Sequence, residues 1–274
     1  MSADASQTAI HKIRQTPGEW LYHYTTLETA LVYILPQLRL RLSPFSQMRD
    51  PREYKQWFPG AVGFFSDDQE GELVSRIDKA SVRLNLLRNE FKLLSFTTDS
   101  PDPDKGEYGR GFSRSRLWES YASNGTGMCL VLRKNTAVEA ITRQLGAAGT
   151  SAHGPVVYAN GPTHAEIMLH FEEIFGDLDV LAERIATRHL EKLFLTKNTE
   201  WETEREYRFV VRTPNAYEYV DVSESVVAMI RGPASAREAE HALRYFAAEL
   251  GIGLGFVQWN DNEPMLLGRP LARS

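Results

Sequence analysis

The spacing of apolar and polar positions changes several times along the chain, and each change predicts an element. Residues 20–25 (WLYHYT) read as an aromatic strand, and Thr25-Thr26-Leu27-Glu28 offers a capping box that starts a helix directly after it. Leu27, Leu31, Ile34 and Leu35 give that helix an apolar stripe, and Pro36 ends it. Residues 38–43 (LRLRLS) alternate strictly, with Leu38, Leu40 and Leu42 inward. A helix over 72–90, a strand at 91–97, a short helix at 115–123 and a buried strand at 128–132 follow. The spacing then predicts a helix over 137–145, a strand at 155–158 and two helical segments between 163 and 194. After an acidic strand come strands at 217–220 and 225–230, a helix at 235–250 and terminal strands near 255–259 and 264–267. Strands and helices are interspersed without regular alternation, and no repeat or composition break divides the chain, so one mixed α+β domain over 19–274 is expected. Residues 1–18 hold few large apolar groups and are expected as a flexible N-terminal arm or a loosely docked helix. The irregular stretch 44–71, with Phe45, Trp57, Phe58, Phe64 and Phe65, reads as a packed surface loop or a flap over a site.

The acidic strand is the most informative stretch. From Thr203 onward, Thr203, Arg205, Tyr207, Phe209 and Val211 fall on one face and Glu204, Glu206, Arg208, Val210 and Arg212 on the other. Two carboxylates at i and i+2, about 7 Å apart in a pleated strand, followed by an arginine, suit two arrangements. One is an exposed strand laced with Glu-Arg contacts; the other is a cleft in which a carboxylate stabilises positive charge on a substrate.

Composition narrows the classes. With 42% hydrophobic residues the chain can bury a sizeable core, and a net charge of -5 gives no general case for binding polyanions. Cys129 is the only cysteine, which excludes an internal disulfide and fits a reducing cytoplasm. No apolar run approaches the roughly 18 residues of a spanning helix, so no membrane association is expected. The histidines lack His-x-x-x-His spacing, so no metal is expected, and neither G-x-S-x-G nor a phosphate-binding loop is present. His23 suits a satisfied core position or a partner for the acidic strand.

The order of short motifs carries more than any one of them. H-Y-T (His23–Thr25), L-R-L-S (Leu40–Ser43), D-P-x-E (Asp50–Glu53), L-S-F-T (Leu94–Thr97), L-W-x-x-Y-A (Leu117–Ala122), V-x-Y (Val156–Tyr158), F-L-T-K (Phe194–Lys197), W-E-x-E-x-E-Y-R (Trp201–Arg208) and I-R-G-P (Ile230–Pro233) succeed one another. In that order they resemble, over about 21–250, a large bacterial family of uncharacterised proteins, the domain-of-unknown-function family numbered 2971. The opening strand ending in His-x-Thr and the closing Glu204-Arg205-Glu206 are in turn similar to a distant branch of the ADP-ribosyltransferase superfamily.

That resemblance implies a mixed, largely antiparallel split sheet decorated by helices, with NAD as substrate and no metal. It implies transfer of ADP-ribose to a macromolecule, nucleic acid or protein, as in a toxin or anti-phage defence effector, with an antitoxin or regulatory partner allowed. In that scheme Glu206 stabilises the ribosyl cation, Glu204 activates the acceptor and Arg208 orients. His23 bonds a ribose hydroxyl, Thr25 meets the carboxamide, and Tyr24, Tyr121 or Trp118 stacks on nicotinamide. Arg41 or Arg49 meets the pyrophosphate, and Ser43, Asp50 and Ser95 complete the binding set. The chain departs from the pattern at Tyr24, where many transferases carry glycine, and at Met48-Arg49-Asp50-Pro51-Arg52-Glu53, where the family usually reads F-N-D-P-F-E. Two other activities suit the same residues: an NAD glycohydrolase with water as acceptor, and a binding module for a nucleotide or partner chain. Arg49, Arg52, Arg110, Arg114 and Arg116 read either as a local basic rim or as scattered surface charge.

Overall fold

The alternating and aromatic runs become strands of a ten-stranded sheet in the computed structural model, which describes residues 3–48, 50, 53, 57, 59–62, 70–161 and 167–268. Among the described residues the strands are β1 (Trp20–Thr25), β2 (Arg39–Pro44), β3 (Gly60–Val62), β4 (Phe91–Thr97), β5 (Met128–Arg133), β6 (Ser151–Pro155), β7 (Val157–Tyr158), β8 (Met168–His170), β9 (Thr196–Lys197), β10 (Glu206–Arg212), β11 (Glu218–Asp221), β12 (Val226–Arg231), β13 (Gly253–Asn260) and β14 (Glu263–Gly268). The main sheet runs β11-β2-β4-β1-β5-β12-β13-β14, with β10 joined to β4 and β6 to β10. All its pairs are antiparallel except β12 with β13. The fold is therefore mixed α+β with a mostly antiparallel sheet, as the interspersed pattern predicts. Two short parallel pairs, β3 with β8 and β7 with β9, lie off it.

Period-2 burial sorts the core. Leu21, Leu130, Leu132, Met229 and Phe209 share one apolar cluster, covered by Ala137, Ile141 and Leu145 of the helix Lys134–Ala148 and by Leu243 and Ala247 of the helix Arg237–Leu250. Trp20, Tyr22, Val131, Ala228 and Ile230 face a second cluster with Trp118 and Phe112. A third gathers Leu84, Ile185, Phe194 and Val210 from the helices Glu70–Arg88, Leu178–Arg188 and Leu190–Phe194 and from β10. Phe45 and Trp57 pack on Phe194 at ring-centroid distances of 4.9 and 5.4 Å, so these two belong to the core rather than to a flap. Phe58, Phe64 and Phe65 lie outside the described residues. No described helix is long and apolar enough to cross a membrane.

Several element boundaries differ from expectation. The strand expected over 155–158 divides between β6 and β7, and the 163–194 stretch holds β8 and three helices, with 162–166 outside the described residues. The acidic strand begins at Glu206, not Thr203, because Thr199–Glu204 winds as a 3-10 turn.

The N-terminal residues also differ from a free arm. Ala3–Gln15 form α1, whose Ile10 and Ile13 are buried with Val257 and Leu266, while Ser6 Oγ accepts a 3.0 Å hydrogen bond from Leu254 N. The polar composition hid this docking: two isoleucines three apart suffice when the helix lies on a sheet. Its C-terminal end is held by a buried ion pair. Asp99 accepts from Arg110 Nε at 3.1 Å, Gly111 N at 2.7 Å and Gly18 N at 2.8 Å, and Arg110 donates to the carbonyls of Arg14 (2.6 Å) and Ile13. Glycine is required at 111, because a Cβ there would lie 2.1 Å from the Tyr22 ring. Removing one partner of a buried pair leaves the other charge uncompensated, so Asp99→Ala is expected to cost about 3–5 kcal/mol. Guanidinium unfolding measures it, and a loss under 1 kcal/mol would contradict the tether.

Candidate active site

The site begins with an edge that two strands compete for. β10 runs beside β4 along its whole length, from Thr97 opposite Glu206 to Phe91 opposite Arg212. On the other edge β1 pairs only at Thr97, through Tyr22, and β2 only at Leu93 and Lys92, through Ser43 and Pro44. Between them the 94–96 edge has no strand partner among the described residues, and the sheet splits. A cavity of about 280 Å³ opens there, lined by Tyr24, Arg41, Ser43, Ser95 and Tyr121 among others.

His23 closes part of the gap. Its Nδ1 lies 3.2 Å from the Ser95 carbonyl oxygen, which only accepts, so Nδ1 carries the proton and Nε2 is left as an acceptor. Burial pushes its pKa down, and the imidazole stays neutral. Register puts Tyr22, Thr97, Ser95, Glu206 and Arg208 on one side of the sheet, whereas His23 turns to the Phe96 ring at 5.6 Å. His23 and Glu206 therefore line one cavity from opposite sides of the split rather than facing each other across one sheet surface.

Glu204 reaches the cavity by a different route from the one alternation predicts. Arg205 adopts the left-handed conformation (φ 46°, ψ 54°), and Thr98 holds its carbonyl through both N and Oγ1 at 3.0 Å. That reversal brings the Glu204 carboxylate back beside Glu206. Lys197 Nζ bridges them, at 2.7 Å from Glu204 Oε2 and 2.5 Å from Glu206 Oε1. Arg208 Nε meets Glu206 Oε2 at 2.5 Å, and its guanidinium also pairs with Glu53. Ser95 Oγ donates to Glu206 at 3.2 Å, Tyr121 Oη to Glu204 at 3.4 Å, and Tyr158 Oη accepts from Glu206 N at 2.8 Å.

Three carboxyls (Glu53, Glu204, Glu206) thus face two cations (Lys197, Arg208), and none of the five is more than 8% exposed. Desolvation penalises every charge here, so the surplus carboxyl takes up a proton. Burial, followed by the hydrogen bond to Glu206, raises the Glu204 pKa to about 7, and burial also raises that of Glu53. Burial acts on Glu206 in the same direction, but Arg208 and Lys197 outweigh it and hold its carboxyl well below the usual range. Burial alone would lower the Lys197 pKa; Glu206, Glu53 and Glu204 together raise it. The pair therefore holds an ionised Glu206 beside a Glu204 that is half-protonated near neutral pH, with titration shared between them.

Other expected site residues divide. Arg41 lines the cavity and stacks on Tyr217 at 4.4 Å, and Ser43, Ser95, Tyr24 and Tyr121 line it too. Trp118 does not; its Nε1 donates to the Phe112 carbonyl at 2.8 Å and its ring packs edge-on against Tyr24, whose Oη donates to Gly111 O. Thr25 and Asp50 are buried away from the cavity. Asp50 accepts from Asn198 N at 3.1 Å, so it fixes the turn after Lys197, and Glu53 of the same D-P-x-E motif is the residue that enters the cavity. Lys197 and Glu53 were missed as site residues; their only signal was a lone charge within an otherwise apolar or turn motif. Of the arginines read as a basic rim or as scattered charge, Arg110 is paired with Asp99, Arg114 hydrogen-bonds Gly109 O, and the exposed Arg116 stacks on Trp201 at 4.6 Å. Arg49 and Arg52 lie outside the described residues.

Residues 117–209 match the family model described as "Protein of unknown function (DUF2971)". This is a shorter span than the motif order suggests, and it includes Tyr121, Lys197, Glu204, Glu206 and Arg208 but not His23, Arg41 or Glu53. No curated protein and no solved structure matches the chain.

A carboxyl whose folded pKa is raised stabilises fully below its unfolded value, about 4.3, and that contribution is lost as pH rises to its folded value, about 7. Between those limits the native chain is expected to lose about 2–4 kcal/mol of stability relative to Glu204→Gln. Urea unfolding of both proteins across pH 4–8 measures the difference. A constant difference would mean that Glu204 titrates alike in the folded and unfolded chain.

Proposed function

We propose that the protein is an NAD-dependent ADP-ribosyltransferase-like enzyme acting on a macromolecular acceptor, protein or nucleic acid. The observation that carries the reading is the meeting of the H-Y-T strand and the E-x-E acids on one cavity at the split of the sheet. Cleaving the N-glycosidic bond of NAD sends the bonding electrons into the nicotinamide ring and leaves oxocarbenium character on the ribose, the kind of cation met in glycoside hydrolysis. Glu206, ionised and fixed by Arg208 and Lys197, supplies preorganised negative charge to that cation. His23 Nε2 accepts from a ribose hydroxyl, and Tyr24 and Tyr121 flank the nicotinamide. Glu204, with its pKa near 7, suits removal of the acceptor's proton at neutral pH.

The cavity sits at the lower end of small-molecule sites, about 300–1,000 Å³. It would take the nicotinamide-ribose end, leaving the pyrophosphate at the exposed Arg41. The lone, buried Cys129 suits action in a reducing cytoplasm.

Incubating the protein with NAD labelled in the adenosine half, then fractionating a lysate into protein, RNA and DNA, tests the reading. Label is expected in one fraction with nicotinamide released, and Glu206→Gln is expected to slow release by about 10²–10³-fold. Nicotinamide release without label in any fraction would assign water as acceptor. Absence of release would end the NAD-cleavage reading.

A further inference from the structure

The buried acids and bases do more than hold one another in place, because their charges do not balance. Among the described residues, Glu53, Glu204 and Glu206 form ion pairs only with Lys197 and Arg208, and this buried imbalance lies on the wall of the cavity, with the exposed Arg41 the remaining cation of its lining. Glu204 and Glu53 each share a single cation with Glu206, and Glu204 is the one of the two that reaches Tyr121 on the aromatic wall. Lys197 from β9 is shared with Glu206, and Tyr121 from the helix Ser115–Tyr121 stands 3.4 Å away. Glu206 and Arg208 from β10, with Glu53 and Tyr158 behind them, lie beside it, and His23 of β1 and the exposed Arg41 of β2 are the other basic groups of the lining among the described residues. An empty cavity therefore keeps one proton on the acids. A positively charged guest would make that proton unnecessary.

The walls say what kind of cation. Lys197 Nζ already occupies the point between the two carboxylates where a metal ion would sit, and no group of three or more His, Cys, Asp or Glu among the described residues is arranged for a metal. Tyr24, Phe96 and Tyr121 line the remainder, and aromatic faces attract cations, most strongly where water is excluded. We infer that the cavity takes a planar organic cation and exchanges it for a proton: one positive charge enters, and Glu204 releases one proton to solvent. The inference rests on the transferase reading only in naming the pyridinium ring of oxidised NAD as the natural guest; a neutral reduced ring lacks the charge that the site lacks.

Calorimetric titration of the full chain with N-methylnicotinamide, a cation, and with nicotinamide, its neutral counterpart, tests this at pH 6 and pH 8. With half-protonation near pH 7, the fraction of sites free of the proton rises about tenfold between these pH values, and the apparent affinity for the cation is expected to rise about tenfold with it. Nicotinamide is expected to bind more weakly at pH 8 and without that step. Glu204→Gln is expected to remove the step. If that variant does not fold, the wild-type comparison decides. A cation that binds no tighter than nicotinamide at pH 8, including no binding of either, overturns the inference, as does an affinity equal at both pH values. Cation binding without NAD cleavage leaves this inference standing and ends the transferase reading; NAD cleavage without cation preference does the reverse.

Discussion

A strand edge can be paired only once along any stretch, and the architecture of the site follows from that limit. β4 gives its whole length on one side to β10, then divides the other side between β1 at one end and β2 at the other. Both cannot continue along β4, so they part, and the backbone of 94–96 is left facing a gap. The His23 ring supplies a hydrogen bond to the Ser95 carbonyl that would otherwise go unpaired, as buried carbonyls require. The cavity is thus a product of sheet topology, and the side chains of β1, β2, β4 and β10 need only point into it.

The two buried ionic clusters answer to different demands. Around Asp99 the donors are backbone N–H groups, the Tyr22 hydroxyl and a single guanidinium, and one carboxylate meets one arginine: the group is balanced and ties α1 and β1 to the loop at Gly111. Around Glu206 five ionisable groups of the described residues are buried beside a cavity, three carboxyls against two cations. Desolvation costs several kcal/mol per buried ion, and apolar packing of similar volume would often be more stable. Arg205 adds to this by adopting a left-handed backbone without being glycine, a strain of roughly 1–3 kcal/mol. Costs of this sort gather at functional sites, where local rules yield to chemistry.

What sequence reading could and could not recover follows the same division. Periodicity found the strands at 91–97 and 128–133 and the helices at 70–88 and 237–250 because burial there repeats with the element. It failed at Glu204, since an arginine at 205 gives no sign of a left-handed turn as glycine or asparagine would. It placed two acids together for the wrong geometric reason. Lys197 carried no pattern of its own; its meaning lies in what β10 brings beside it. Asp50 and Glu53 belong to one motif whose two acids do different work, one bonding backbone and the other entering the cavity. Trp118 is held out of the cavity by an indole hydrogen bond, and Thr25 is buried beyond it at the end of β1, neither visible before folding.

The seating of α1 on β13 and β14 has a bearing on synthesis. Ser6 and Leu254 are 248 positions apart, yet they share a hydrogen bond, and Ile10 packs against strands from the far end of the chain. During translation α1 must wait, with its apolar stripe uncovered, until β13 and β14 have emerged. Loop closure over so long a separation is slow, so α1 docks late in the assembly of the sheet. Since α1 also anchors the loop at Arg110 and Gly111, which packs on β1 beneath the cavity, the site acquires its final shape only once β13 and β14 have received that helix.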